Sequence, residues 1–310
     1  MVAADWVAAS VRARLLAERR AGAGLCRTIA AQPNLTDALA LLAGSAYGPH
    51  LPEEETLGAS QRAIGDTVLW ELRVLAGWMP ARGTPLARAA AAAFERDNLV
   101  ALFRQLEGGH DAGDYFELGA LASVWPRAQG ATSVEELNGL LRQSPWGDPG
   151  QPATAGAAAD VLTALWLRRL VGVAPGARDW AQQASVLLVA RGLLIDGTAP
   201  TDRLSRLLWP LIGSEWSSAS DLSALREGLS LSARQILDDV DSSEDLWRAE
   251  ARLAGNVEAG GFQLLRGVAS GPDIVLGALA VLAVDAWRTR AALGAAAAAA
   301  GIPEVFDVMA

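Results

Sequence analysis

The stretch NLTDALALLAGSAYG (residues 34–48) returns 99 residues later as SVEELNGLLRQSPWG (133–147). The offset matches Leu35 to Val134, Asp37 to Glu136, Leu41 to Leu140, Leu42 to Leu141, Tyr47 to Trp146 and Gly48 to Gly147. Each copy opens on a residue that caps a helix N-terminus, Asn34 or Ser133, and carries leucines at helical spacing. Each closes on an aromatic residue followed by glycine, which predicts a helix end with positive φ at Gly48 and Gly147. A third segment, SSASDLSALREGL (217–229), keeps a cap and the leucines but lacks the aromatic-glycine ending. A Trp-Pro dipeptide precedes the second and third copies, as Trp125-Pro126 and Trp209-Pro210.

Pairs of long helical segments accompany these copies. Residues 55–79 and 85–106 are separated at Pro80 and Gly83, residues 155–173 and 177–194 at Pro175 and Gly176, and residues 242–268 and 272–300 around Gly271. Alanine, leucine, arginine and glutamate fill them, and no stretch alternates with period two. The reading is all-α, with three helical repeats over residues 1–107, 108–195 and 196–310 and a degenerate third copy. Units of this size exceed solenoid periods, so each repeat is expected to carry a core of its own.

Composition removes whole classes of function. All 26 basic residues are arginine, so there is no lysine for a P-loop or a Schiff base. A net charge of −9 repels a phosphate backbone, and no nucleic-acid partner is expected. One cysteine, Cys26, excludes an internal disulfide. The first twenty residues include Asp5 and Glu18 and lack a continuous apolar core, so they do not read as a secretory signal. The most apolar run, Ile274 to Val284, stops at Asp285, far short of the ~20 residues that span a bilayer.

A catalytic constellation is not evident, and no enzyme activity, metal or cofactor is expected. His50 and His110 lie in turn-like sequence, and the glycines at 22 and 24 lack the rest of a dinucleotide fingerprint. Counted from Asp239, the acidic stretch 238–250 has calcium-loop spacing at Asp241, Ser243 and Glu250, but Glu244 occupies the position that needs glycine. A capped helix start explains the same residues. Of the eleven tryptophans, Trp70, Trp166 and Trp287 sit in apolar helical sequence and are expected to pack between helices. Trp6, Trp180 and Trp216 lie near helix ends and are expected at interfaces.

Several motifs follow one another along the chain: WVAASVRARLL (6–16), the turn at Tyr47-Gly48, and FERDNLVALFR (94–104) with Glu95, Asn98, Leu99 and Arg104. They continue through the turn at Trp146-Gly147 and the closing segment 271–304 with Pro272, Asp285 and Arg290. In this order and spacing the chain resembles the C subunit family of V-type and archaeal-type rotary ATPases, called subunit d in eukaryotes. Arg288 stands where that family usually has asparagine, and Thr289 where it has leucine. The resemblance implies three pseudo-threefold helical lobes forming a funnel, and a non-catalytic central-stalk subunit with no cofactor. It implies two partners, the central-shaft subunits and the membrane proteolipid ring, and a cytoplasmic, peripheral place on the membrane. The alternative from the residues alone is an unrelated all-α scaffold or peptide-binding module.

Overall fold

The computed structural model describes residues 4–109 and 114–300, and these are all-helical, with no strand among them. None of the described helices is long and apolar enough to cross a membrane. His110 and the closing residues from Gly301 lie outside the described residues. The chain divides into two compact units, residues 1–84 with 251–310, and residues 85–250. Repeats and packing units are therefore different partitions of this chain: the first and last stretches share one core.

The first unit holds α1 (Val7–Glu18), α2 (Gly22–Ala30), α3 (Leu35–Leu42) and α4 (Leu57–Trp78). The second begins within α5 (Thr84–Leu106) and continues through α6 (Trp125–Ala128), α7 (Val134–Arg142), α8 (Ala155–Val173) and α9 (Arg178–Arg191). It is completed by α10 (Asp202–Ile212), α11 (Leu222–Glu227) and α12 (Leu231–Arg234). The boundary falls within α13 (Leu246–Leu265), and α14 (Pro272–Ala297) returns the chain to the first unit.

The reason for that return lies in α14, which is apolar around most of its circumference and must be covered on several sides. Helices α1, α2, α3 and α4 all pack against it. Pro272 starts it at N1, where the missing N–H has no helical partner to lose. Near its start the backbones approach closely: a Cβ on Gly277 would lie 2.6 Å from the Gly261 carbonyl oxygen of α13. In the second unit, α8 and α9 pack as an antiparallel hairpin, with α10 against both. A second expected pair, α4 and α5, falls in different units, because α4 buries Ile64, Val68 and Leu72 in the α1–α14 core.

Helix starts follow the sequence closely. Asn34 accepts from the Asp37 N–H (2.9 Å), Ser133 from the Glu136 N–H (3.2 Å) and Asp221 from the Ala224 N–H (2.9 Å). The third copy therefore begins at Asp221, four residues into the segment identified from sequence. Leucines four and eight residues after that cap, Leu225 and Leu229, are buried, as are Leu137 and Leu141 in the second copy.

Candidate functional site

The two aromatic-glycine turns build the same local device. In the first unit the Ser45 hydroxyl donates to the Leu42 carbonyl (2.7 Å) and accepts from the Tyr47 N–H (3.2 Å). In the second, Ser144 donates to the Leu141 carbonyl (2.8 Å) and accepts from the Trp146 N–H (3.1 Å). This serine bridge turns the chain and aims the aromatic ring inward, where Tyr47 and Trp146 are each 3% exposed.

Each ring then meets a buried carboxylate. The Tyr47 hydroxyl donates to Asp285 Oδ2 (2.9 Å), which also accepts from the Ala21 N–H (3.0 Å), while Oδ1 accepts from the Gly22 N–H (2.7 Å). The Trp146 indole N–H donates to Glu95 Oε2 (2.8 Å). Glu95 Oε1 accepts from the N–H groups of Ser123, Val124 and Trp125 at 2.7, 2.8 and 2.9 Å. Asp285 thus ties α14 to the start of α2, and Glu95 ties α5 to the start of α6, where helices leave backbone N–H groups without helical partners. Burial, then the Asp285 charge, hold the Tyr47 hydroxyl well above its ordinary pKa, so it remains a donor.

Three residues beyond each carboxylate the two units diverge. Asn98 holds the backbone of one residue by both its polar groups, donating to the Phe116 carbonyl (2.9 Å) and accepting from the Phe116 N–H (2.7 Å). Arg288, in the corresponding place on α14, is 1% exposed and makes a two-pronged ion pair with Glu258 of α13 at 3.1 and 2.6 Å. Burial works against its charge, but Glu258 more than offsets this and raises the guanidinium pKa. Leu99 is fully buried in the core, whereas Arg104 and Arg290 are exposed.

The glycines after the aromatic residues play different parts. Helices α3 and α7 stop at Leu42 and Arg142, before either glycine. Gly147 takes φ +79°, as expected, but Gly48 does not take a positive φ and lies in a 3₁₀ turn over Gly48–His50. Its requirement is space: a Cβ there would lie 2.0 Å from the Ala43 carbonyl oxygen. Gly147→Val is therefore expected to cost about 1–2 kcal/mol from backbone strain. Gly48→Ala is expected to cost at least as much, about 2 kcal/mol, because the clash is with backbone that has no rotamer to change. Thermal denaturation of the two variants checks both values, and an unshifted melting temperature contradicts them.

The remaining sequence candidates resolve into structural roles. Asp245 accepts from the N–H groups of Asp241 (3.2 Å) and Ser242 (3.1 Å) and from the Ser242 hydroxyl (3.0 Å), and pairs with Arg248. These contacts, the Asp241 N–H foremost, lower its pKa and make the acidic stretch a capped helix start. No group of three or more metal-ligating side chains is found among the described residues. His50 lies tilted against Trp70, with ring centroids 5.5 Å apart and planes inclined by 48°. Trp70 is 46% exposed, while Trp6 and Trp216 are buried, reversing their expected roles. Trp216 turns inward because its indole N–H donates to the Gly213 carbonyl (2.6 Å), and Trp6 because its ring lies against Gly83.

One buried group escaped the sequence reading. Glu71 on α4 is 7% exposed, and burial raises its carboxyl to about 7, with Asp285 adding to the shift and Arg19 and Arg12 opposing it. The available signal was a lone carboxylate inside the apolar run VLWELRV (68–74). No protein-family model matches the chain, and no curated protein matches it.

Proposed function

We propose that this chain is a non-catalytic central-stalk subunit of a V/A-type rotary ATPase, coupling the rotor shaft to the membrane proteolipid ring. The observation that carries the reading is the repeated clamp. The positions on which the family resemblance rests, Tyr47, Asp285, Glu95 and Trp146, are the ones that tie a long helix, an aromatic turn and a helix start together in each unit. Motifs that would be incidental in an unrelated chain thus act as paired structural elements, as expected for a scaffold built by duplication. Three pseudo-threefold lobes around a funnel, and a peripheral place on the cytoplasmic face of the membrane, complete the proposal.

On this reading the protein transmits torque by shape and adhesion. Three unequal lobes do not match the symmetry of a ring of many identical subunits, so adhesion to the ring is spread over several modest contacts. The shaft is a single asymmetric object and takes a tighter, more specific surface. The test is co-purification of the full chain with central-shaft subunits and with proteolipid-ring vesicles from the same source. Retention of both is expected, together with restored coupling of ATP hydrolysis to ion transport in complexes lacking the native subunit. Binding to neither, with both competent for assembly, overturns the proposal and leaves the unrelated all-α scaffold.

A further inference from the structure

We propose that the outer face of α1 and α4 in the first unit docks an acidic amphipathic helix of a partner protein, held by two apolar ridges and by Arg12 and Arg19 between them. Half of the large apolar side chains that are exposed among the described residues lie on these two adjacent helices, and such clustering marks interaction surfaces. Val7, Val11 and Leu15 recur every four residues along α1, and Trp70 and Trp78 stand eight apart on α4 with the half-buried Val74 midway. Residues four apart share one side of a helix, so each set forms a ridge about 12 Å long.

Packing aligns the two ridges. The start of α1 lies beside the end of α4: Asp5 pairs with Arg82 (2.8 Å), and a Cβ on Gly83 would lie 2.8 Å from the Trp6 ring and 2.7 Å from the Met79 side chain. Farther along, Arg12 and Arg19 of α1 act on Glu71 of α4, so the helices run antiparallel. Counted from Trp6 beside Met79, Val7 falls level with Trp78, Val11 with Val74 and Leu15 with Trp70. The opposite sides of both helices are buried in the core with α14, through Ala9 and Ala13 of α1 and Val68 and Leu72 of α4. The ridges therefore stand together on the outer side, where two packed helices leave a valley in which a third can lie.

Charge selects the occupant. Residues 7–20 carry four arginines against one glutamate, in a chain whose net charge is −9. Arg12 keeps its Nε out of water without a hydrogen-bond partner. Glu71, held mostly protonated below pH 7 by burial, does not neutralise the arginines there. A bilayer receiving both ridges would also cover the strip between them and isolate its charges from water. A second copy of the chain, docked through the same face, would set arginine against arginine. A helix with glutamates seven residues apart matches the spacing of Arg12 and Arg19, about 10 Å, and leucines beside those glutamates reach the two ridges.

The probe is a labelled helical peptide of about 18 residues, with two glutamates seven residues apart, leucines three and four residues to either side of each, and alanine or glutamine elsewhere. Fluorescence anisotropy with the full chain at pH 6.5 is expected to show saturable binding. Lysine in place of both glutamates, or serine in place of the leucines, should weaken it about ten-fold or more. Val11→Asp, at the centre of the face, and Arg19→Glu should each weaken binding by about ten-fold, and Arg19→Glu should narrow the gap between the glutamate and lysine peptides. Both side chains are exposed, so the variants are expected to remain folded, which circular dichroism verifies. The proposal is overturned if the glutamate peptide does not bind, if the lysine peptide binds equally well, or if folded Val11→Asp binds unchanged. It is also overturned if Val11→Asp abolishes adsorption to vesicles of phosphatidylglycerol and phosphatidylcholine, or dissolves a dimer seen in sedimentation, since the face then belongs to lipid or to a second copy.

Discussion

Glu95→Ala is expected to destabilise the second unit by about 4 kcal/mol or more, enough to remove much of the 5–15 kcal/mol that holds a typical domain folded. The carboxylate accepts three backbone N–H groups and one indole N–H, and its side chain is fully buried. Each buried donor left without an acceptor costs about 1–3 kcal/mol, and four are released together. Relief of the buried charge offsets part of this, since a desolvated carboxylate is itself costly. Glu95→Gln separates the contributions. Its carbonyl can still receive the backbone trio, but its amide then faces the Trp146 N–H, donor against donor, and a loss of about 2 kcal/mol is expected. Adding Trp146→Phe to Glu95→Gln removes that conflict, so the double variant should be more stable than additivity allows. Amide exchange at Ser123, Val124 and Trp125 localises the effect. Unchanged protection in Glu95→Ala would show that these groups do not depend on the carboxylate.

Glu71 leads to the second large effect, which depends on pH. Its carboxyl rises from 4.5 to about 7 in the folded chain, chiefly through burial. Between those values the folded chain holds a proton that the unfolded chain has released. Stability is therefore greatest below the unfolded pKa and is lost as pH rises through 7, by up to about 3 kcal/mol in all. Glu71→Gln keeps the shape without the titration. At pH 8 it should be more stable than the parent by about 2–3 kcal/mol, with little gain at pH 4. Urea denaturation across this range, with Gly22 amide exchange reporting on the first unit, measures the change. A parent slope that persists unchanged in Glu71→Gln would assign the pH dependence to another group.

The clamps were half visible in the sequence. The repeat pointed to Tyr47 and Trp146, and the family resemblance singled out Glu95 and Asp285. Their pairing was not visible, because Tyr47 and Asp285 are 238 residues apart and the carboxylate precedes its aromatic partner in one unit but follows it in the other. The approach of Asp160 to Asp196 was equally hidden. Asp160 and Asp196 look like ordinary polar positions of separate helices, and only the hairpin of α8 and α9 with its π-helical ending brings them to one space.

Local information determined what is local in this protein. Helix class, caps at Asn34 and Ser133, the apolar character of α14 and the 99-residue repetition follow from residue types and spacing over a few turns. Side-chain hydrogen bonds and helical periodicity act over that range. Tertiary structure alone decided which helices share a core, which tryptophans face water, why Gly48 needs space while Gly147 needs a positive φ, and where Glu71 is desolvated. Those properties depend on how much apolar surface a distant segment brings, and α14 brings enough to draw the end of the described chain back onto its first four helices.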